Sequence, residues 1–206
     1  MVDVLGRVHR VRHSNAWIFG TMLVSACLSL IASFVLSVDA LKLAEDPAAS
    51  LACNINEVIS CGTVGASWQA HLFGFPNAYL GMLAEPVVIT IAVASLGGVR
   101  FPRWFMFSAQ VVYTLGFLFA YWLLYQSMFV IGAMCPWCLL VTVSTTLVFA
   151  TLTHVNVRDA NLFLPPRVQT RMAEWIEADI DGIAVVIWLL ILVLVTVLKY
   201  GGSLFA

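Results

Sequence analysis

A chain of 206 residues in which 62% are hydrophobic and 10% are charged has too few polar side chains to cover a water-soluble domain. Its mean hydropathy of +0.97 is typical of an integral membrane protein. The net charge of -1 excludes nucleic-acid binding as a leading interpretation, because no basic surface is available to neutralise phosphates.

Five apolar segments are long enough to cross the hydrocarbon of a membrane, which takes about 20 helical residues. Each is predicted to be a helix, because hydrocarbon offers unpaired backbone groups no hydrogen-bond partner. The first is longer than the core of a cleaved signal peptide, so we expect a retained anchor. The segments are approximately residues 16 to 38, 78 to 98, 104 to 126, 131 to 153 and 183 to 198.

The distribution of Lys and Arg predicts the orientation, because cytoplasmic loops are enriched in these residues. With the N-terminus in the cytoplasm, only Lys42 and Lys199 fall outside, against eight arginines inside. The connection over 39 to 77, the turn over 127 to 134 and the C-terminal tail are then extracytoplasmic. The eight arginines are Arg7, Arg10, Arg12, Arg100, Arg103, Arg158, Arg167 and Arg171.

Four of the five cysteines fall on this predicted outer side, where an oxidising compartment permits disulfides. Cys53 and Cys61 lie in the long connection and are named the loop pair here. Cys135 and Cys138 lie at the mouth of the fourth span and are named the membrane pair. Cys27, in the middle of the first span, is expected to be a small buried hydrophobic residue.

The membrane pair has the Cys-x-x-Cys spacing at a predicted helix start. Cys135 would lie near unpaired backbone N–H groups and the positive end of the helix dipole, which favour its thiolate. Pro136 suits the first helical turn, where its missing N–H is not needed. We expect Cys135 to face outer water and to be the more acidic thiol. Cys138, one turn deeper, could pass electrons to a lipid-soluble acceptor.

The loop pair is separated by eight residues, which on a straight helix is about 12 Å along the axis and too far for a disulfide. The intervening segment must therefore bend, and we expect an exposed, mobile loop. Such a loop could meet a soluble thiol protein with one cysteine and the membrane pair with the other. The spacing leaves open whether Cys53 or Cys61 contacts Cys135.

Structural disulfides and a four-cysteine zinc site are alternative interpretations of these residues. Zinc is disfavoured, because a second Cys-x-x-Cys is absent and the compartment is oxidising, so no metal site is predicted. The membrane pair would close too small a ring to stabilise the fold much, which favours a redox role. A non-catalytic metal carrier or assembly scaffold remains the alternative of a different class.

The sequence "CNINEVISCGTVGASWQAHLFGFPNAYLG", followed some seventy residues later by "CPWC", resembles the vitamin K epoxide reductase family in its bacterial form. The resemblance covers about residues 16 to 153. It implies a bundle of four transmembrane helices around a quinone of the menaquinone or ubiquinone type. By the same resemblance, Cys53 and Cys61 are the shuttle cysteines, and Cys135 and Cys138 are the active ones.

The resemblance also implies a partner and a location. The family takes electrons from a thioredoxin-fold thiol protein, which here would be a separate chain. The membrane would be the bacterial cytoplasmic membrane, and the fifth span resembles an addition found in actinobacterial members. Where animal members carry a tyrosine, this chain has Thr142, so reduction of vitamin K epoxide or of quinone as the physiological task is kept as the alternative function.

Four residues are candidates for quinone contacts. Asn77 resembles the family's quinone-contacting asparagine, although it could also cap the second span as an ordinary helix N-cap. Ser67 and Trp68 are predicted to lie on a short interfacial helix that includes residues 64 and 72 on one face, with Trp68 alternatively a simple membrane anchor. Phe75 belongs to the turn "FGFPN" that precedes Asn77.

Two titratable residues lie near these candidates. Glu85 is the acidic residue inside a span, and an intramembrane carboxyl is a functional candidate by default. We expect a carboxyl that is hydrogen-bonded within the bundle, with proton handling as the second interpretation. His71 could titrate near the site, but a solvated loop histidine is the simpler interpretation.

The predicted organisation is therefore an all-α membrane bundle over residues 1 to 154, an amphipathic cytoplasmic segment over 155 to 182, and a fifth helix with a short tail over 183 to 206. In the amphipathic segment, apolar residues recur at helical spacing behind Pro166. They are Val168, Met172, either Trp175 or Ile176, and Ile180. The leading functional hypothesis is oxidation of extracytoplasmic protein dithiols coupled to reduction of a membrane quinone.

Overall fold

The structure, a computed structural model, describes residues 12–56 and 58–204, and Arg7 and Arg10 lie outside them. The described part is all-α, with one isolated backbone bridge and no strand. A 3₁₀ turn, Trp68–His71, follows the short helix Cys61–Gly65, and a π-helical turn, Gln126–Ile131, extends the helix Arg103–Tyr125. The α-helices are α1 Asn15–Glu45, α2 Cys61–Gly65, α3 Ala78–Leu96, α4 Arg103–Tyr125, α5 Pro136–Arg158, α6 Pro166–Glu177 and α7 Ile180–Leu204.

Five of these helices are long and apolar enough to cross a membrane, which confirms the predicted fold class. The ends differ from the hydropathy pattern. Helix α1 continues to Glu45, seven residues beyond the predicted end, and its backbone ladder closes where the Asp46 N–H donates to the Lys42 carbonyl. Helix α5 runs from Pro136 to Arg158, about five residues later than predicted. A span predicted from hydropathy ends where polar and charged side chains begin, whereas the hydrogen bonds of a helix can continue past those residues.

Helix α1 lies at the centre of the bundle and packs against α3 and α5, while α4 packs against α5. Small residues on α1 permit the close approach, as is usual between membrane helices. At Gly81 of α3, a Cβ atom would collide with the Ser33 Oγ, so a larger residue there would require the Ser33 side chain to shift. The buried small residues of α1 are Ser25, Ala26, Ser29, Ala32, Ser33 and Ser37.

Charged residues join three helices at the end of the bundle away from Cys135. Arg12, just before α1, forms ion pairs with Asp179 and Asp181, at 2.7 and 2.6 Å. The Nδ1 of His154, on α5, lies 2.7 Å from Asp181 Oδ2. This cluster fastens the start of α7 to α1 and α5. Arg158 also donates to Asn15 Oδ1 at 2.7 Å.

The predicted amphipathic helix is present as α6, with Pro166 in its first turn and Ile176 buried. It ends at Glu177, earlier than the apolar spacing suggested, because Asp179 adopts a φ of 60° and breaks the helix. Ile180 therefore begins α7 instead. Most of α7 faces outward, and Trp188 Nε1 attaches it to the bundle by donating to the Tyr121 hydroxyl at 2.7 Å.

Candidate active site

The loop pair forms a disulfide, with the two Cα atoms 5.6 Å apart, so the predicted bend between the cysteines is confirmed. The bend is held by Asn56, whose Oδ1 accepts hydrogen bonds from the N–H groups of Val58 and Ile59 at 3.0 and 2.7 Å. Side-chain oxygens of Asn residues commonly close turns in this way.

The loop is exposed at Asn54, Ile55 and Asn56, as expected, but its two cysteines are buried. Cys53 is 7% exposed and Cys61 is 2% exposed, and both pack in an apolar cluster with Leu51 and Cys135. The loop folds back over the bundle because burying its apolar side chains, such as Leu51, is more favourable than leaving them exposed to water. A soluble partner would therefore reach the loop disulfide only after part of the loop moves.

A short backbone bridge holds the loop against the start of α5. The Ser60 N–H donates to the Met134 carbonyl at 3.0 Å, and the Met134 N–H donates to the Val58 carbonyl at 2.8 Å. Cys61 follows Ser60 in one of the bridged segments, and Cys135 follows Met134 in the other. Their sulfur atoms are 3.3 Å apart. The loop cysteine next to the membrane pair is thus Cys61, a choice that the spacing had left open.

Cys135 is the N-cap residue of α5, and its Sγ accepts a hydrogen bond from the Cys138 N–H at 3.3 Å. Pro136 occupies the first helical turn, as predicted. A hydrogen bond with the Cys138 thiol, and weaker ones from backbone N–H groups, lower the pKa of Cys135 against the opposing effect of burial. Cys135 does not face outer water, since it is 1% exposed.

A cavity of about 820 Å³ opens beside the membrane pair and extends into the bundle. Its volume falls within the range of about 300–1,000 Å³ that small-molecule sites occupy. Most of the wall is apolar. The residues with polar or titratable side chains in this wall include Cys135, Cys138, Asn77, Glu85, Tyr113 and Asp39.

Asn77 is buried in the wall of this cavity, and one polar atom of its amide has no partner. The Nδ2 donates to the Gln69 carbonyl at 2.6 Å, whereas the Oδ1 has no hydrogen-bond partner in the described structure. Asn77 occupies the N-cap position of α3, as the alternative predicted, but its side chain makes no capping hydrogen bond. An unpaired buried acceptor is costly unless a ligand donates to it, so this atom fits a hydroxyl group of a bound molecule.

Of the other three residues predicted to contact a quinone, one lines the cavity and two do not. Ser67 lines the cavity, but its Oγ already donates to the Val64 carbonyl at 2.6 Å. Trp68 and Phe75 are not among the lining residues. Trp68 is 64% exposed with its ring edge-on to Trp122, and Phe75 stacks between Phe73 and Tyr79.

The single helix predicted across residues 64 to 72 is wrong, because the chain turns at Ser67. Helix α2 ends at Gly65, and Ser67 adopts extended backbone angles before the 3₁₀ turn begins. Val64 therefore packs against the cysteine cluster while Trp68 points away from it.

Glu85 is buried in the deeper part of the cavity wall, and the expected hydrogen bonding within the bundle is confirmed. Its Oε1 accepts from the Ser29 hydroxyl at 2.7 Å and from the Tyr113 hydroxyl at 3.1 Å. Sequence reasoning missed both partners, because they come from other helices. His71 lines the cavity mouth with Nδ1 3.4 Å from the Ser67 carbonyl.

Sequence reasoning also missed Asp39, which lies near the outer end of α1. Its Oδ2 is 3.8 Å from Cys53 Sγ, and its Oδ1 is 3.8 Å from Lys42 Nζ. The residue is 8% exposed. The available signal was an acidic residue followed by Lys at i+3, directly after an apolar span and upstream of a cysteine.

Two cysteine pairs in contact beside a mostly apolar cavity, in a bundle whose helices are long enough to cross a membrane, are the features of a membrane thiol oxidoreductase. The family model described as "Vitamin K epoxide reductase family" matches residues 21–153, which is more than half of the chain. The protein therefore belongs to the vitamin K epoxide reductase family, whose members use quinones and generally pair with thioredoxin-like proteins. A search of curated proteins finds no match.

The environment of Cys135 predicts a measurable acidity. The test uses a variant in which Cys27, Cys53 and Cys61 are replaced by Ala. The pH at which the alkylation rate of Cys135 reaches half its plateau should lie below the ordinary thiol pKa of about 8.5, because the pKa of Cys135 is lowered. Small reagents such as iodoacetamide would enter through the cavity, and mass spectrometry would separate the two thiols. Adding Cys138→Ala should raise the midpoint. A midpoint at or above 8.5 in the first variant contradicts the assignment.

Proposed function

We propose that this protein oxidises dithiols of an extracytoplasmic thioredoxin-fold protein and passes the electrons through the loop pair and the membrane pair to a membrane quinone. The observation that carries the proposal is the 3.3 Å contact between the Cys61 and Cys135 sulfurs. Thiol–disulfide exchange requires a direct approach of sulfur to sulfur. Cysteines that served as structural braces would gain nothing from such a contact.

The first exchange occurs at the loop. A thiolate of the partner attacks Cys53, which is the more exposed sulfur of the loop disulfide, and Cys61 leaves. Cys61 then attacks Cys135 of the oxidised membrane pair, and Cys138 leaves as a thiolate. The partner's second thiol displaces Cys53, which completes oxidation of the partner. Each step breaks one S–S bond and forms another, so the electron pair moves inward without a further oxidant.

The second exchange resets the loop. Cys53 attacks Cys61 in the Cys61–Cys135 disulfide, so the loop disulfide forms again and Cys135 is released. Its position at the N-cap of α5 favours release, because the Cys138 N–H and the helix dipole stabilise the departing thiolate. The membrane pair is then a dithiol that faces the cavity.

The cavity fits a quinone of the menaquinone or ubiquinone type. Apolar walls would hold the ring and tail, Cys138 lies at the wall, and the free Asn77 Oδ1 would accept a hydrogen bond from the hydroxyl of the reduced form. When bound, a quinone supplies the capacity to accept two electrons and two protons. The chain's part is to hold the dithiol against it and to exclude water.

The orientation that we propose has the N-terminus in the cytoplasm of a bacterial cell and the cysteine pairs outside. The positive-inside rule supports it. The contacts of Arg12 with the start of α7, and of Arg158 with the start of α1, gather basic residues at the end of the bundle away from the cysteines. The same orientation places the loop pair on the side of the membrane that faces the oxidising compartment.

The proposed function is tested by mixing purified protein with a reduced thioredoxin-fold protein and a soluble quinone, and following quinone absorbance. Wild-type protein should turn over repeatedly. The Cys138→Ala variant should lose quinone reduction, because the membrane pair can no longer form a disulfide, and should hold a Cys61–Cys135 disulfide in equilibrium with the loop disulfide. The control is Cys27→Ala, which removes a free cysteine outside both pairs and should keep full activity. Sustained turnover by Cys138→Ala would refute the route.

The orientation is tested with single cysteines introduced into a variant that otherwise lacks them. Ile55→Cys lies in the loop at a position that is 69% exposed, and Arg100→Cys lies in the exposed α3–α4 connection. A membrane-impermeant maleimide added to intact cells should label the cysteine at position 55 at once, and that at position 100 only after the membrane is opened. The reverse pattern would invert the proposed placement of both cysteine pairs.

A further inference from the structure

Asp39 is an acidic side chain in contact with the loop pair. It lies on α1, 8% exposed, with Oδ2 3.8 Å from Cys53 Sγ. Its nearest cation is the Lys42 ammonium, 3.8 Å from Oδ1 and itself more than half exposed. Removing a carboxylate from water is unfavourable, and one long, exposed ion pair does not offset that cost. The position of Asp39 is therefore not explained by stability.

The chemistry of the loop pair supplies a reason. Thiol–disulfide exchange needs a thiolate nucleophile, and Cys53 must attack Cys61 each time the loop disulfide forms again. Cys53 is 7% exposed, so bulk water has little access to its proton. Among the described residues, the carboxylate of Asp39 is the acceptor that the structure records beside this sulfur.

We propose that Asp39 is a catalytic residue that accepts the proton of Cys53 when Cys53 attacks the Cys61–Cys135 disulfide, an inference that rests on the proposed function. The proton moves from the Cys53 thiol to the Asp39 carboxylate. The Cys53 sulfur forms a bond with Cys61, the Cys61–Cys135 bond breaks, and Cys135 leaves as a thiolate. One S–S bond replaces another, so no oxidant or reductant is consumed.

The groups required for this step are contiguous in the structure. The carboxylate lies beside Cys53, Cys53 is bonded to Cys61, and Cys61 is 3.3 Å from Cys135, which the α5 N-terminus stabilises as a thiolate. A proton acceptor at the attacking sulfur and an anion site at the departing sulfur both favour formation of the Cys53–Cys61 disulfide. Asp39 also lines the cavity, so its proton can leave toward the membrane pair.

The groups facing Asp39 are few. Lys42 lies on the same helix, Cys53 belongs to the loop, and Cys135 interacts with Asp39 from the start of α5. His71 lines the same cavity from the 3₁₀ turn. The neighbouring thiols do not compete for the proton, because Cys61 is bonded throughout the step and Cys135 is the departing sulfur.

The test needs neither a quinone nor a partner. Full-length Cys138→Ala protein holds either the Cys53–Cys61 or the Cys61–Cys135 disulfide, and a pH jump changes their ratio. Acid quenching followed by peptide mass spectrometry gives the relaxation rate. With Asp39 as the acceptor, the rate should not rise between about pH 6 and 8, whereas unassisted thiolate attack would rise about tenfold per pH unit below the thiol pKa of about 8.5. A tenfold rise per unit overturns the proposal.

Asp39→Asn, in the same Cys138→Ala protein, preserves size but cannot accept the proton. It should slow relaxation at least tenfold at about pH 6.5, and the difference should vanish above about pH 8.5, where Cys53 ionises unaided. Asp39→Glu should restore a pH-independent rate. The matched control, Glu45→Gln, removes an exposed carboxylate from the same helix and should change nothing.

Slowing by Asp39→Asn that is equal at all pH values would indicate a structural role and would overturn the proposal, as would an unchanged rate. If Asp39→Asn does not fold, the pH dependence of the protein with Asp39 intact decides alone. A protein that shows assisted exchange but never reduces a quinone would refute the proposed function and leave this inference standing.

Discussion

The contact between the Cys61 and Cys135 sulfurs is the constraint on which the rest of the site depends. These residues are 74 positions apart in the chain, and their sulfurs lie 3.3 Å apart. The bridge between Ile59 and Met134 holds the two segments in register, and the turn around Asn56 returns the loop to that bridge. The burial of the loop pair follows from packing these two segments against each other.

The fifth transmembrane helix contributes to this arrangement although it lies outside the matched family region. Tyr200 of α7 is buried, and its hydroxyl donates to the Met128 carbonyl in the π-helical turn at 3.1 Å. It packs in one apolar cluster with Ile59 and Met134, the residues of the backbone bridge. Helix α7 thus supports the bridge that positions the sulfurs, in addition to crossing the membrane.

Sequence alone predicted the features that depend on local pattern. Apolar length identified the five helices, the loop-pair spacing required a bend, and Pro136 indicated where α5 begins. It could not predict the burial of the loop pair, the choice of Cys61, or the partners of Glu85, because these depend on contacts between distant segments. The broken helix at Ser67 was missed because the apolar spacing continues across a residue whose backbone is extended.

The most direct measurement of the central claim compares two double variants in membranes under mild oxidation. Cys53→Ala with Cys138→Ala leaves Cys61 facing Cys135, and the account predicts nearly complete formation of the Cys61–Cys135 disulfide, detected as an intramolecular cross-link between the two peptides. Cys61→Ala with Cys138→Ala leaves Cys53 and Cys135, and should give almost none. Equal cross-linking in the two variants, or a preference for Cys53, would contradict the assignment of Cys61 as the residue that exchanges with the membrane pair.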